Sequence, residues 1–356
     1  MSKVILIGLT PQGLSLLRLL ARNGYEVFAF SNTARSVGFK SKFGHKHLFK
    51  DVDDLKQKIV SVVKQGANRV QCIITSGELL AMVVAEFPEL YDICDVQSGP
   101  LSLIQTLARK DLMYDYAEKR GLKSAKYLLL SEYKAGSLRF PVIVKRNFEV
   151  PLFFKVKKID NEDSLRELIS HIPIEVQANV IIQEFISLNT CLNISFQGYF
   201  KNGQLLASFL GNQKRRLRTG ITSYLEEATD ERLASLIHAS ADQLFKESDY
   251  HGFFELEFLY SPESEELFFI EINTRACGLQ SAFVAKYKNL YRVFENNINK
   301  EELHRRPERL CWVNLTRDFR ARFQNSDLKG LKNSLIANKD VFDWKDPRPF
   351  FYQFFR

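Results

Sequence analysis

Two stretches in the C-terminal half, residues 252–260 and 267–275, constrain the fold more than anything else in the sequence. The first reads Gly252-Phe-Phe-Glu-Leu-Glu-Phe-Leu-Tyr and the second Leu267-Phe-Phe-Ile-Glu-Ile-Asn-Thr-Arg. Both arms are strand-like and the polar turn 261–266 between them is short, so an antiparallel hairpin is predicted. Centring the turn on Ser264 sets Glu257 opposite Glu271 and Glu255 opposite Asn273. Side chains two apart on a strand share a face, so these four point one way. Phe254, Leu256, Phe258, Ile270 and Ile272 turn the other face toward a core. Carboxylates opposed across a ladder repel, and burying them without a counter-charge is costly. A hard divalent cation removes the objection, because magnesium takes oxygen ligands from carboxylates, an amide and substrate phosphates. An acidic face turned to water removes it as well, and spacing alone leaves both readings open.

The first hundred residues alternate strand and helix. Strands are predicted over 3–9, 25–30 and 70–75, and helices over 12–23, 53–65 and 78–86. Such alternation implies a parallel sheet covered by helices. Gly8 and Gly13 bracket the first turn, but the triple-glycine dinucleotide fingerprint is absent and no Gly-Lys-Ser follows. A helix over 104–120, closed by Gly121, leads into short strands at 125–130, 141–145, 153–157 and 179–186, with a helix over 162–170. A larger lobe follows, with strands at 193–200 and 204–210 and a long helix over 230–247. The fold class is therefore mixed, α/β at the start and α+β beyond it. The lobes are expected at 1–105, 106–187 and 188–356.

The 356 residues are 45% hydrophobic and 26% charged, ordinary for a globular chain. Apolar runs are too short to cross a bilayer, which needs about 20 residues, and a cytoplasmic protein is expected. Five scattered cysteines show no zinc-ligand spacing. A net charge of +8 suits an anionic partner. The densest cluster, Lys214-Arg215-Arg216-Leu217-Arg218, lacks the aromatic interleaving of a single-strand binder, so a substrate loop is expected there and no nucleic acid.

Glu257 followed by Glu271-Ile-Asn273-Thr-Arg275 resembles the metal-binding hairpin of the ATP-grasp superfamily, which includes biotin carboxylase and D-alanine–D-alanine ligase. Other landmarks of that family follow in its order: Lys110-Asp111 at a helix start, then Phe140-Pro-Val-Ile-Val-Lys145, then the hinge stretch Ile181-Ile-Gln-Glu184-Phe185-Ile186. The resemblance implies an ATP-grasp fold with an N-terminal Rossmann-like pre-ATP-grasp domain. It also implies ATP and magnesium, with manganese as an alternative ion, and an acyl-phosphate route joining a carboxylate to an amine. On this reading Lys110 and Lys145 meet the ATP phosphates. Gln183, Glu184, Phe185 and Ile186 meet adenine and ribose, and Glu257, Glu271 and Asn273 hold the metal. Arg275, with Arg215, Arg216 or Arg218, serves the acyl-phosphate or the acceptor, since an arginine fork suits planar oxyanions. Weaker features are the 198–203 hairpin, the 214–218 loop, Glu226-Glu227, Trp312 and the closing Asp346-Pro347-Arg348-Pro349. They resemble D-aspartate-ligase-like and carboxylate–amine-ligase-like members linked to cell-wall and surface-polysaccharide synthesis. The substrates implied are an amino acid or uronic acid, free or polymer-linked, and an amine, with a homodimer by family habit.

The chain departs from the family at the lid. Residues 146–154 contain no glycine and include Pro151, which has no N–H to offer a phosphate. Arg146, Lys155 or Lys157 would have to substitute. This keeps open a nucleotide-binding regulatory or scaffold relative with little turnover. Taken alone, 183–186 reads as an edge strand, and the turn between Gly8 and Gly13 alone would suggest an NAD(P)-dependent oxidoreductase.

Overall fold

The computed structural model describes all residues except 1, 65–68, 149–153, 155, 188–189, 326–329 and 356. The chain divides into two compact units: residues 1–104, 194–256 and 273–356 form the first, and 105–193 with 257–272 the second.

In the first unit, β1 (Lys3–Ile7), α1 (Pro11–Arg22), β2 (Glu26–Ser31), β3 (His45–Leu48), α2 (Val52–Val63), β4 (Val70–Ile74), α3 (Gly77–Glu86), α4 (Leu90–Ile93) and β5 (Cys94–Val96) build a wholly parallel sheet. Its strand order is β3-β2-β1-β4-β5. Caps explain where the helices start. Asp51 accepts from the Asp54 N–H and Ser76 from the Leu79 N–H, each satisfying a donor that the first turn leaves unpaired.

The tight β1–α1 turn is a packing device. Gly8 has φ +106°, and a Cβ on Gly13 would lie 2.1 Å from the Gly8 carbonyl oxygen. Both glycines are needed to seat α1 on the sheet, which accounts for them without a dinucleotide.

The predicted single helix over 104–120 is two: α5 (Leu101–Leu107) and α6 (Lys110–Glu118). Arg109 between them is extended (φ −99°, ψ 126°). The cause lies far along the chain. Asn147 accepts the Lys110 N–H on its carbonyl and the Asp111 N–H on Oδ1, starting a new helix there.

The second unit continues with β6 (Tyr127–Leu129), β7 (Val142–Arg146), β8 (Val156–Ile159), α7 (Glu162–Ser170), α8 (Ile174–Gln177) and β9 (Val180–Glu184). Its antiparallel sheet runs β6-β9-β7-β8, so β9 is an interior strand and the edge-strand reading of 183–186 is corrected. The apolar alternation of β7 and β9 supplies Val142, Val144, Val180 and Ile182 to a core closed by Leu165 and Leu168 of α7. The predicted strand over 153–157 begins at Val156, and its earlier part lies largely outside the described residues.

A second large sheet is built from β10 (Leu192–Lys201), β11 (Gln204–Arg216), β12 (Thr222–Glu227), β13 (Gly252–Ser261), β14 (Glu266–Asn273), β15 (Cys311–Val313) and β16 (Asn338–Lys339). Its order is β14-β13-β10-β11-β12-β15-β16. The helices of this part are α9 (Glu231–Phe245), α10 (Gln280–Lys286), α11 (Leu315–Asn325), α12 (Leu331–Ile336) and α13 (Arg348–Tyr352). One apolar cluster joins Val4, Leu6, Leu16 and Leu20 to Phe209, Phe253, Phe283 and Trp312. That shared core explains why residues 1–104 belong to one unit with 194–256 and 273–356.

The C-terminal segment is tied to α1. Arg18 donates to Asp346 Oδ2 at 2.9 Å and to the carbonyls of Asp346 and Val341, while Ser41 donates to the same carboxylate. Among the described residues no helix is long and apolar enough to cross a membrane.

Candidate active site

Within the second unit, α6 carries Lys110 and Tyr114 one turn apart and hence on one face. Lys110 Nζ donates to Glu271 Oε1 at 2.6 Å. Lys145 Nζ, near the end of β7, donates to the Tyr114 hydroxyl at 2.6 Å and to Gln183 Oε1 at 2.7 Å. The Tyr114 hydroxyl donates to the Ile270 carbonyl of β14 at 2.8 Å, and Gln183 Nε2 donates to the Ala125 carbonyl. The two predicted phosphate lysines and Glu271 thus converge through one tyrosine.

Burial sets the electrostatics. Lys145 is 9% exposed, and desolvation, aided by repulsion from Lys110 and opposed by Glu271, lowers its pKa to about 7. The Tyr114 hydroxyl is pushed up, first by burial and then by the charges of Glu271 and Glu257. Asn147 is buried, holds the start of α6 with its side-chain oxygen, and leaves its Nδ2 without a hydrogen-bond partner among the described residues.

In the first unit, buried Glu255 accepts from Ser195 Oγ at 2.5 Å and from Asn273 Nδ2 at 3.4 Å. Arg275 Nη2 donates to Asn273 Oδ1 at 3.1 Å. Glu255 therefore holds the Asn273 amide from one side and Arg275 from the other, which fixes which way its oxygen faces.

The remaining expected residues are placed less centrally. Residues 214–216 belong to β11 and pair across bulges with β12, Arg215 with Tyr224 and Arg216 with Thr222, so the expected basic loop shrinks to residues 217–221. Arg215 donates to the buried carboxylate of Asp318 at 2.5 Å, which Arg322 and Ser334 also hold. Arg218 is exposed and donates to the Gln324 carbonyl. In the hinge stretch, Glu184 Oε1 accepts from the Arg139 N–H, and the Phe185 N–H is spent on the Pro141 carbonyl. Phe185 and Ile186 are half-buried. Of the lid candidates, Arg146 Nε reaches the Phe154 carbonyl at 3.4 Å, Lys157 is exposed on β8, and Lys155 and Pro151 lie outside the described residues.

Tyr114 and Asn147 are the residues that sequence reading missed. Each had a signal: Tyr114 sits four after Lys110 on a helix, and Asn147 two after the strand lysine.

The oxygen donors of the hairpin suit the magnesium ion that the sequence resemblance implies. Among the described residues no three His, Cys, Asp or Glu side chains cluster as metal ligands. Glu257 and Glu271 offer only hard oxygens, which suits magnesium. Two carboxylates do not make an all-protein cage, but magnesium characteristically takes one or two carboxylates plus phosphate oxygens and water. The residues fit an ion that arrives with a nucleotide.

No family model matches the chain. It is 24% identical to the D-alanine–D-alanine ligase of Legionella pneumophila (strain Corby) over 279 residues, 66% of this chain and 75% of that one. Among solved structures it superimposes on an ADP complex of N5-carboxyaminoimidazole ribonucleotide synthetase with a TM-score of 0.70 at 15% identity, covering 88% of this chain and 81% of that one. It also matches the biotin carboxylase domain of Hydrogenobacter thermophilus 2-oxoglutarate carboxylase, crystallised with MgADP, ADP and bicarbonate. There the TM-score is 0.67 at 14% identity, over 85% and 72% of the two chains. The chain has the ATP-grasp fold, with a Rossmann-like parallel sheet at its N-terminus.

Proposed function

We propose that the protein is an ATP- and magnesium-dependent ligase that activates a carboxylate as its acyl-phosphate and passes the acyl group to an amine. The observation that carries this reading is the convergence of Lys110, Lys145, Tyr114 and Glu271 within one unit. Two lysines beside carboxylates match the needs of phosphoryl transfer, where positioning and charge stabilisation do most of the work. Lys110 and Lys145 bind the phosphates. Glu257, Glu271 and, two residues along the same strand, Asn273 hold the ion. Bound there, magnesium would offset charge on the transferring phosphoryl group and orient it.

The carboxylate oxygen takes the γ-phosphoryl group and ADP leaves. The amine nitrogen then attacks the acyl carbon, phosphate departs with the C–O bond pair, and the nitrogen loses a proton. Arg275, oriented by Asn273, faces the acyl-phosphate or acceptor, with Arg216 as a further candidate and Arg215 in a supporting role through Asp318. Gln183, Glu184, Phe185 and Ile186 line the base and ribose. The similarity to a D-alanine–D-alanine ligase favours an amino acid as substrate; a uronic acid, and a place in cell-surface polymer synthesis, rest on the sequence resemblance alone. Lobes at 1–105, 106–187 and 188–356, a cytoplasmic location and a homodimer complete the reading.

An ADP-release screen over amino acids, uronic acids and short peptides tests it, with Glu271→Ala as control. Substrate-dependent release that disappears in the variant is the expected result. Release that survives Glu271→Ala would overturn the metal site, and ATP binding without release under any acid–amine pair would overturn the ligase reading.

A further inference from the structure

We infer that residues 342–354 of the first unit form a docking surface for an anionic lipid bilayer. The segment keeps large aromatic rings in water: Trp344 is 86% exposed, Phe354 57% and Phe351 54%. Ring contacts join them into one patch. Trp344 meets Phe342 edge-on at 4.7 Å, Phe342 meets Phe350 at 5.1 Å, and Phe350 meets both Phe351 and Phe354. Phe350 roots the patch by packing against Leu14 and Val37. Exposed apolar side chains scattered singly are ordinary, whereas a contiguous patch marks an interaction surface.

The rings are held in place rather than carried on a loose tail. Asp346 accepts from Arg18 Nε, Ser41 Oγ and the Lys42 N–H, which ties the middle of the segment to the body of the unit. Pro349 falls in the first turn of α13, where a missing N–H forfeits no helix bond. A platform fixed in this way has little ordering entropy left to lose on docking.

Charge identifies the partner. Lys345 follows Trp344 directly, Arg348 opens α13, and Lys40 lies over the Tyr352 ring; all three cations are exposed. Both acidic residues of the segment are already paired, Asp343 with Arg22 and Asp346 with Arg18. Beside Phe351 a groove of about 660 Å³ is lined by Lys40, Lys46 and Arg348 together with Phe39 and Pro347, and no acidic side chain borders it. Aromatic rings flanked by lysine and arginine suit a bilayer surface. There the rings sit at headgroup level and the cations meet anionic lipid phosphates. A second copy of the chain is a poorer occupant, because a two-fold contact centred on this patch would set Lys345 and Arg348 against their own like charges.

The surface takes no part in the ligase reading and is tested without ATP. The full chain would be mixed with vesicles of phosphatidylcholine and phosphatidylglycerol, and with vesicles of phosphatidylcholine alone. Sedimentation with the anionic vesicles only, reversed by salt, is the expected result. Trp344 reports the contact directly: the other tryptophan, Trp312, is fully buried, so a blue shift of emission and shielding from acrylamide belong to Trp344. Lys345→Gln with Arg348→Gln should weaken binding about fivefold per charge removed. Trp344→Ser with Phe351→Ser should weaken it about tenfold or more. All four side chains are exposed, so these variants keep the fold. No binding to anionic vesicles would overturn the proposal. Salt-sensitive binding that both double variants leave unchanged would overturn it as well, since the overall charge of +8 would then suffice. So would a Trp344 shift that appears without vesicles as protein concentration rises, which would assign the patch to a second copy.

Discussion

Lys145 and Tyr114 are held together in a dry place: the lysine ammonium nitrogen donates to the tyrosine hydroxyl at 2.6 Å, and the lysine is 9% exposed. Its second contact, Gln183 Oε1, accounts for both N–H groups of a neutral amine. The lysine that should face a phosphate is thus close to losing its charge at neutral pH until the phosphate arrives.

Nucleotide binding should therefore take up a proton. With a pKa of about 7, Lys145 is only about one-tenth protonated at pH 8, and a bound phosphate restores the charge. Calorimetry in buffers of different ionisation enthalpy should show uptake approaching about 0.9 proton per ATP at pH 8, falling toward zero at pH 6. Lys145→Met should abolish the uptake. The sign for stability follows from the same value. The unfolded chain binds more protons between about pH 7 and 10.4, so the free protein gains stability as pH rises through that window, and urea melts of Lys145→Met should lose this slope.

Lys110→Met removes one charge-assisted phosphate contact and leaves Glu271 without its nearest cation. ATP affinity should fall about 10- to 100-fold, corresponding to about 1.5–3 kcal/mol for a hydrogen bond to a charged group. Titration calorimetry reads this directly, and unchanged affinity would remove Lys110 from the site.

Magnesium should bind tightly only together with nucleotide, because two carboxylates leave most of its coordination to phosphate and water. Titrating Mg²⁺ into the free protein should give little heat, and titrating it into the ADP complex a saturable signal that Glu271→Gln weakens. Tight binding to the free protein would point to a different donor set.

Arg18→Met should destabilise the first unit by about 3–5 kcal/mol, since it strands the buried carboxylate of Asp346. Burial raises the Asp346 pKa, but its bonds to Ser41, the Lys42 N–H and Arg18 outweigh this and hold it below the usual range. The contribution of this carboxylate is present above about pH 4 and is lost as pH falls through its depressed value. Denaturant melts of both proteins at pH 7 and pH 3 should show the difference shrinking in acid.

Gly13→Ala should cost about 1–3 kcal/mol, because the new methyl meets the Gly8 carbonyl at 2.1 Å and the turn has nowhere to retreat. Thermal melting should fall while the affinity for ATP stays unchanged. NADH should bind neither protein.

Local signals were the legible part of the fold. Helix α7 runs from Glu162 to Ser170 as its periodicity predicts, because Asn161 caps it from the adjacent position. The break between α5 and α6 was not legible, since its cause, Asn147, lies 36 residues beyond Asp111. The interior position of β9 was hidden for the same reason: its neighbours β6 and β7 come from elsewhere in the chain. In the candidate site, the residue types and their order could be read, but their wiring could not. Gln183 was expected to face a base, yet its side-chain oxygen is turned to Lys145. Arg215 was expected to face substrate, yet Asp318, 103 residues away, holds it.

The tie between Arg18 and Asp346 has a consequence for synthesis. The two residues are 328 positions apart, so at roughly 5–20 residues per second the ribosome needs about 15 to 65 s to deliver the second after the first. During that interval α1 holds a cation destined for burial with no counter-charge to meet it. The nascent parallel sheet therefore completes this side of α1 only after residue 346 has been delivered.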